Sequence, residues 1–381
     1  MTPAPTPKID PAKTHLLKEY KHDSPLLGCR FDPSGQFVFA GAQDNTVVRW
    51  HLDSGKKTLL TGHKSWVRAL AFASGPYAGG AQVDPELERV LNMSLAELEL
   101  SVRAMDCLAS EGITTVRDLL MHESQKLMFS GDYAGRILAW QTDAAEPKPV
   151  LTLEGHRGWV RALAVSPNGT MLASCGNDHL VKLWSIPGGE LIRELAGHTC
   201  HVYNVAFHPD GKHLISADLK GVVKVWDVAK GEAERELDAK ILYKYDPSFR
   251  ADHGGVRSMT FSADGSLLAC AGITNVSNAF AGVGNPLIVL FDYKSGKVKQ
   301  QLRPKTPFQG TAWGVVIHPQ GFLAGVGGGN GGMLWFWKTD TAQDFFSLKL
   351  PNNARDLDLH PYGRRLAVAF FDGAVRTYSM G

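Results

Sequence analysis

A unit of about 40–45 residues recurs along the chain, and no other feature restricts the fold as strongly. Its clearest copy is residues 155–184, GHRGWVRALAVSPNGTMLASCGNDHLVKLW. Gly155-His156 leads into an alternating apolar strand, a Pro-Asn-Gly turn, a second strand, an Asp-containing turn and a third strand ending in Trp184. Gly62-His63, Gly197-His198 and Asp252-His253 mark further starts. Trp50, Trp140, Trp226, Phe291, Trp337 and Tyr378 end the corresponding third strands. Between them lie the turns DPSG (32–35), SPNG (166–169), HPDG (208–211), SADG (262–265), HPQG (318–321) and HPYG (360–363). Short strands of period two at even spacing cannot bury a core singly, so they pair into small sheets that stack. Forty glycines suit that many tight turns.

A four-stranded unit with a Gly-His start and an aromatic stop resembles the WD-repeat family. The resemblance covers nearly the whole chain and implies an all-β, seven-bladed WD-repeat β-propeller. The last unit ends at Tyr378, with no room for its own fourth strand. THLLKEY (14–20) is expected to supply it, closing the ring without an exposed sheet edge. Residues 1–13, with four prolines and few apolar groups, are expected to form a disordered tail.

One segment breaks the period. Blade two opens with SWVRALAF (65–72), but its second strand resumes only at KLMFSGD (126–132). Roughly 49 extra residues, about 74–122, occupy a hairpin turn that ordinarily needs about four. Leu87, Val90 and Leu91, then Leu98, Val102 and Met105, then Val116, Leu119 and Leu120 recur at helical spacing. Ser94 followed by Glu97 is a capping-box pattern, so the insert is predicted to be helical. Its run SLAELELSVRAMDCLASEGITTVRDLL (94–120) resembles the first half of the C-terminal domain of the bacterial RNA polymerase alpha subunit. Arg103 falls on that family's main DNA-contacting arginine, which implies a possible DNA contact there. Asp106 stands where the family has asparagine, and the family's second half is absent. Both departures weigh against inherited nucleic-acid binding.

A formal net charge of +2 gives no bulk field for nucleic acid or membranes. No apolar run reaches the roughly 18–20 residues of a membrane helix, and the start MTPAPTPKIDPAK lacks the apolar core of a signal peptide. Cys29, Cys107, Cys175, Cys200 and Cys270 are odd in number and scattered, which reads as reduced thiols in a cytoplasmic protein.

His156, Ser174 and Asp178 look like a nucleophilic triad. Resemblance to the family instead implies, with Trp184, a hydrogen-bonded tetrad tying the loops of a blade to its third strand. Blades two and four keep His63, Ser130 and Trp140, and His198, Ser216 and Trp226, but carry Ala134 and Lys220 at the acidic position. Blade one keeps Asp44 and Trp50, with Ala40 in place of the hydroxyl. No oxyanion site or cleft is visible, so the protein is read as non-catalytic. His198, Cys200 and His201 have zinc-ligand character, yet His198 is the repeat histidine, and no metal or cofactor is expected. His208, His318 and His360 precede prolines in turns and are expected to face solvent. The glycines of GVGGGNGGMLWFW (325–337) are read as a hairpin rather than a phosphate loop, because no GK[ST] follows.

Stacking the first strands gives a sharper signal. Five residues after each repeat histidine or its equivalent stand Leu27, Arg68, Arg161, Tyr203, Arg257, Trp313 and Arg355. Two positions earlier stand Pro25, Trp66, Trp159, His201, Gly255, Thr311 and Asn353. In the family the first of these positions points to the upper mouth of the central channel, where partners insert side chains. Arginine forks grip carboxylates and phosphates, and Trp and Tyr anchor interfaces. The expected partner is therefore a protein or peptide with an acidic or phosphorylated segment, bound at that mouth. The competing expectation is a hydrated plug in which these arginines pair with Asp23, Asp356 or Asp358.

Overall fold

The computed structural model describes residues 8–73, 93–94, 97, 127–142, 144–186, 188–278 and 283–381. Blades one to seven are seven four-stranded antiparallel sheets that follow one another along the sequence. In blade three the strands are Val160–Val165, Met171–Gly176, Val181–Ser185 and Leu191–Leu195, paired in sequence order, so each connection is a hairpin. Blade seven draws its outermost strand from the other end of the chain. His15–Lys21 pairs antiparallel with Ala374–Ser379. Tyr20 extends this tie to blade one, donating its hydroxyl to the Leu52 carbonyl at 2.7 Å.

The first strands of successive blades touch in sequence, and that of blade seven touches that of blade one, so the ring closes. Seven apolar clusters fill the spaces between neighbouring blades. Second strands are nearly all buried, as in Met171–Gly176, whereas the outermost Leu191–Leu195 is half exposed. The third-strand aromatics Trp50, Trp140, Trp226 and Trp337 are each no more than 2% exposed and form the largest single pieces of this core. Burial of that apolar area is the main stabilising term.

Residues 8–13, expected to belong to a disordered tail, instead lie against the ring. Ile9 is buried in the cluster between blades six and seven with Phe322, Phe336 and Met380. Its N–H donates to Gln320 Oε1 at 3.0 Å, and Asp10 caps a single 3-10 turn, Pro11–Lys13. An isolated apolar residue among prolines carries no periodic signal, which is why composition hid this contact.

The three turn histidines are also placed differently from expectation. His318 and His360 are about 5% exposed or less, and His208 is half-buried. Each meets the turn-glycine carbonyl of the next blade: His208 with Gly265 at 3.1 Å, His318 with Gly363 at 2.8 Å and His360 with Gly35 at 3.0 Å. These glycines have φ near +70°, with Gly35 at 68°, a region L side chains resist.

The first strand of blade two, Val67–Phe72, pairs with Leu127–Asp132, and Ala73 N–H donates to the Leu127 carbonyl at 2.9 Å. The intervening segment thus leaves a hairpin that stays paired up to its base. Apart from residues 93, 94 and 97, the insert expected to be helical lies outside the described residues, as does Arg103. Ser94 N–H donates to Glu97 Oε1 at 3.1 Å, the reciprocal contact of a capping box. Among the described residues there is no α-helix, and no helix is long and apolar enough to cross a membrane.

Two long connections are hairpins. Tyr243–Asp246 pairs with Ala251–Gly254, and the blade-five strands Leu267–Asn278 and Val283–Asp292 run on past the sheet. Lys244 Nζ joins the two by donating to the Val276 carbonyl at 2.5 Å. The blade-six glycines sit in a hairpin between Phe322–Gly329 and Gly331–Lys338. A Cβ on Gly332 would lie 1.9 Å from the Asn352 carbonyl oxygen, so close backbone approach demands glycine there.

Candidate functional site

The loops of the upper face are held by buried tetrads. In blade three His156 Nδ1 lies 2.8 Å from Asp178 Oδ1, and its Nε2 lies 2.8 Å from Ser174 Oγ. Trp184 Nε1 donates to the same hydroxyl oxygen at 2.9 Å. Ser174 is fully buried with both its partners engaged, so no substrate can reach it as a nucleophile.

Blades two and four have complete tetrads too, which corrects the reading from sequence. His63 Nδ1 meets Asp132 at 3.0 Å and its Nε2 meets Ser130 at 2.6 Å. His198 meets Asp218 at 2.9 Å and Ser216 at 2.7 Å. The acid stands two residues after the serine rather than four. Strand alternation puts residues i and i+2 on one face, so Ser130 and Asp132 point the same way. That period was the available signal. Burial raises these carboxyls, yet the histidine contacts and backbone N–H donors outweigh it and hold Asp132, Asp178 and Asp218 below the usual carboxylate range. Blade one keeps His22 against Asp44 at 2.7 Å, with Ala40 where the hydroxyl would be.

Each first strand then does something that alternation cannot show. The pairing register skips one residue between Leu26 and Gly28, Val67 and Ala69, Val160 and Ala162, Val202 and Asn204, Ala312 and Gly314, and Ala354 and Asp356. The skipped residues are Leu27, Arg68, Arg161, Tyr203, Trp313 and Arg355. In blade five Arg257 precedes the ladder, with its N–H on the Ala271 carbonyl at 2.7 Å. A bulge frees its residue from the ladder and re-aims the side chain. Here it turns the whole ring position toward the axis.

The four arginines consequently converge. Arg68, Arg257 and Arg355 all lie over the Trp313 ring, at 5.9, 5.4 and 5.0 Å from its centroid. Arg161 and Arg257 share Tyr203, at 4.5 and 4.6 Å, and Arg161 also covers Trp159 at 4.4 Å. Trp66 and Trp159 remain 43% and 38% exposed beside them, which leaves indole surface open for contact. Sequence reasoning missed Tyr133, Asn177 and Phe371, from the second-to-third-strand turns. Tyr133 stacks on Trp159 at 3.9 Å, Asn177 accepts from Arg161 Nε at 2.7 Å, and Phe371 lies under Arg355 at 4.8 Å. Backbone bonds Tyr133 N to Trp66 O, Asn177 N to Trp159 O and Phe371 N to Asn353 O join each turn to the neighbouring loop. The repeat of that bond was the signal that could have found them.

Among the described residues no carboxylate forms an ion pair with Arg68, Arg161, Arg257 or Arg355. The Nε atoms of Arg257 and Arg355 are buried without a hydrogen-bond partner. Burial draws Arg161 down to about 10, with Arg68 and Arg257 adding repulsion, so it stays charged at neutral pH. Burial likewise lowers Arg257 and Arg355. Two of the three candidate acids are spent deeper in the channel, while Asp23 is exposed: Asp356 binds Arg30 at 2.6 Å and accepts from Cys29 N–H at 3.1 Å. Asp358 accepts from Phe31 N–H at 2.8 Å, and burial pushes it up to about 6. A cavity of about 220 Å³ runs from Arg68, Arg161, Tyr203 and Arg257 down to Arg30 and Asp356.

Comparisons with known proteins agree with this architecture. The family model of the WD domain, or G-beta repeat, matches residues 14–51, 147–185, 189–227 and 246–275. That of the C-terminal domain of the bacterial RNA polymerase alpha subunit matches residues 82–130. A ribosome biogenesis protein WDR12 homolog of Anopheles gambiae is 25% identical over 178 residues, 42% of this protein and 41% of the relative. A nuclear distribution protein PAC1 of Arthroderma benhamiae is 32% identical over 190 residues, 43% of this protein and 41% of the relative. The DNA-directed RNA polymerase subunit alpha of Rhodopirellula baltica is 47% identical over 55 residues, 14% of this protein and 17% of the relative. The match thus spans about 41% of the length of the first curated relatives. Four segments of the molecule match the WD40 repeat, and it folds as a seven-bladed β-propeller whose second blade is interrupted by a segment similar to part of the C-terminal domain of the polymerase alpha subunit.

Proposed function

We propose that the propeller is a non-catalytic interaction scaffold that takes an acidic or phosphorylated peptide segment at its upper mouth. The observation carrying this reading is the group of four arginines around Trp313 and Tyr203 with no acid paired to them among the described residues. A guanidinium fork grips a carboxylate or phosphate in bidentate fashion. Trp66 and Trp159 at the rim supply aromatic anchors. The relatives matching the propeller are named for ribosome biogenesis and nuclear distribution rather than for a reaction, which supports a scaffold. Buried thiols at Cys29, Cys175, Cys200 and Cys270 fit a cytoplasmic setting. The test is capture of Glu-rich and phosphoserine peptides from an immobilised pool. The Arg68→Glu/Arg161→Glu variant, folded by circular dichroism, should lose at least about tenfold in retention. Unchanged retention would remove the mouth as the site.

A second reading has the segment matching the polymerase alpha domain, folded as helices, associate with nucleic acid or the transcription machinery. It requires a salt-sensitive gel shift that Arg103→Ala abolishes.

A further inference from the structure

Blade four carries a cluster that neither the tetrads nor the mouth uses. The turn His208-Pro-Asp-Gly-Lys-His213 brings ligand atoms of His208, Asp210 and His213 within 4.8 Å of one another. The orientation of the two rings is informative. His208 Nε2 faces the Gly265 carbonyl, which only accepts, so that nitrogen carries the proton. Its Nδ1 is therefore the lone-pair nitrogen, and it lies 3.0 Å from Asp210 Oδ1. His213 Nδ1 is hydrogen-bonded to Asp210 Oδ2 at 2.7 Å, and its Nε2 lies 3.3 Å from Glu234 Oε2. Both Nδ1 atoms face one carboxylate, and the far nitrogen of His208 is tied to a carbonyl. Metal-bound histidines are oriented in this way, the far N–H on a carbonyl or carboxylate.

The sister turns show what the default looks like. His318 and His360 make the same inter-blade carbonyl contact and accept the same backbone N–H at Nδ1, at 3.0 and 3.2 Å. Two residues on, however, they have Gln320 and Tyr362, and no second histidine closes the turn. In blade four the corresponding Asp210 N–H to His208 Nδ1 contact is 3.2 Å and has the carboxylate beside it. A second feature marks the place. Tyr293 stacks on His208 at 4.5 Å, beside Asp210, Glu234 and Arg235. The side chains of Asp210 and His213 stay about a third exposed, at 31% and 29%, which leaves an ion a way in.

We propose that His208, Asp210 and His213 bind a divalent transition metal of the zinc class, with a water position open, and so fix the blade-four turn. Two imidazoles and one carboxylate suit zinc better than magnesium or calcium, which take oxygen ligands. The probe is zinc added to the full-length protein, freed of any affinity tag and stripped with EDTA. After dialysis, elemental analysis should find one zinc per molecule, and the melting temperature should rise and fall back with EDTA. His213→Gln and, independently, Asp210→Asn should abolish both effects, while His360→Gln keeps them. Cobalt should give a tetrahedral visible band without thiolate charge transfer. No retained zinc, retention untouched by His213→Gln, or a thiolate band pointing to Cys200 would each overturn the assignment.

Discussion

Replacing Ser174 by alanine separates a structural hydroxyl from a catalytic one. The hydroxyl is fully buried, accepts from Trp184 Nε1 at 2.9 Å and meets His156 Nε2 at 2.8 Å. Alanine leaves the indole N–H and the imidazole nitrogen unmet, each costing about 1–3 kcal/mol when no water can replace the partner. Partial relaxation brings the total to roughly 2–4 kcal/mol. Unfolding entropy of about 2.1 cal/mol/K per residue over 381 residues converts that to a fall of about 3–5 °C in melting temperature. The exposed Ser295, bonded to Asp292 at 2.6 Å, is the control, and its alanine variant should change stability by no more than about 0.5 kcal/mol. Adding Trp184→Phe removes one orphaned donor, so the double variant should lose less than the sum of the two singles. Calorimetry reads the parent and all four variants. A Ser174→Ala protein melting within about 1 °C of the parent would refute the claim that the tetrad is a buried network.

Stability should also fall with acid in two stages. Burial holds His63, His318 and His360 below the ordinary imidazole value, so the stability tied to their neutral forms is complete above about pH 6.5 and is lost as the pH drops below it. Asp132, Asp178 and Asp218, held below the usual carboxylate value, withdraw theirs only below about pH 4. Urea midpoints should fall between pH 7.5 and 5, and the slope should be shallower in His318→Gln/His360→Gln; a flat profile in the parent contradicts this. Deleting residues 14–20 removes the strand paired with Ala374–Ser379 and the buried Tyr20, and should cost about 3 kcal/mol or more. An unchanged melting temperature would show that this strand contributes nothing to the seventh sheet.

Most of the ring was legible because its signals are local. A Gly-His start, a turn with Gly at positive φ and a buried Trp stop each have a short-range cause, and they recur in register. What escaped reading depends on contacts between blades. His318 and His360 look like exposed turn residues until the next blade puts a glycine carbonyl in front of them. Ile9 looks like part of a polar tail until blades six and seven provide its pocket. The acids of blades two and four were missed for another reason. Asp132 and Asp218 end a strand, whereas Asp178 sits in a turn, and alignment by turn position outranked alignment by strand face.

The mouth combines both situations, and the comparison of its two possible roles follows from where the acids went. The position of the arginines is periodic and could be stacked from sequence, but the bulge that turns them inward is not. A plug would pair each guanidinium with an acid at its own level, since an unpaired buried charge is costly. The channel does this once, lower down, where Arg30 meets Asp356 at 2.6 Å. At the mouth, Trp313 and Tyr203 take the place of acids, and face-on aromatic contacts offset only about 0.5–2 kcal/mol per guanidinium. Burial is the main cause that lowers Arg161, and mutual repulsion with Arg68 and Arg257 adds to it. That residual repulsion is a free-energy difference an incoming anion can collect. Its affinity should therefore fall steeply with salt, and Arg355→Gln should flatten that dependence while leaving the propeller folded. Binding that strengthens with added salt would mean that the aromatics, not the charges, hold the partner.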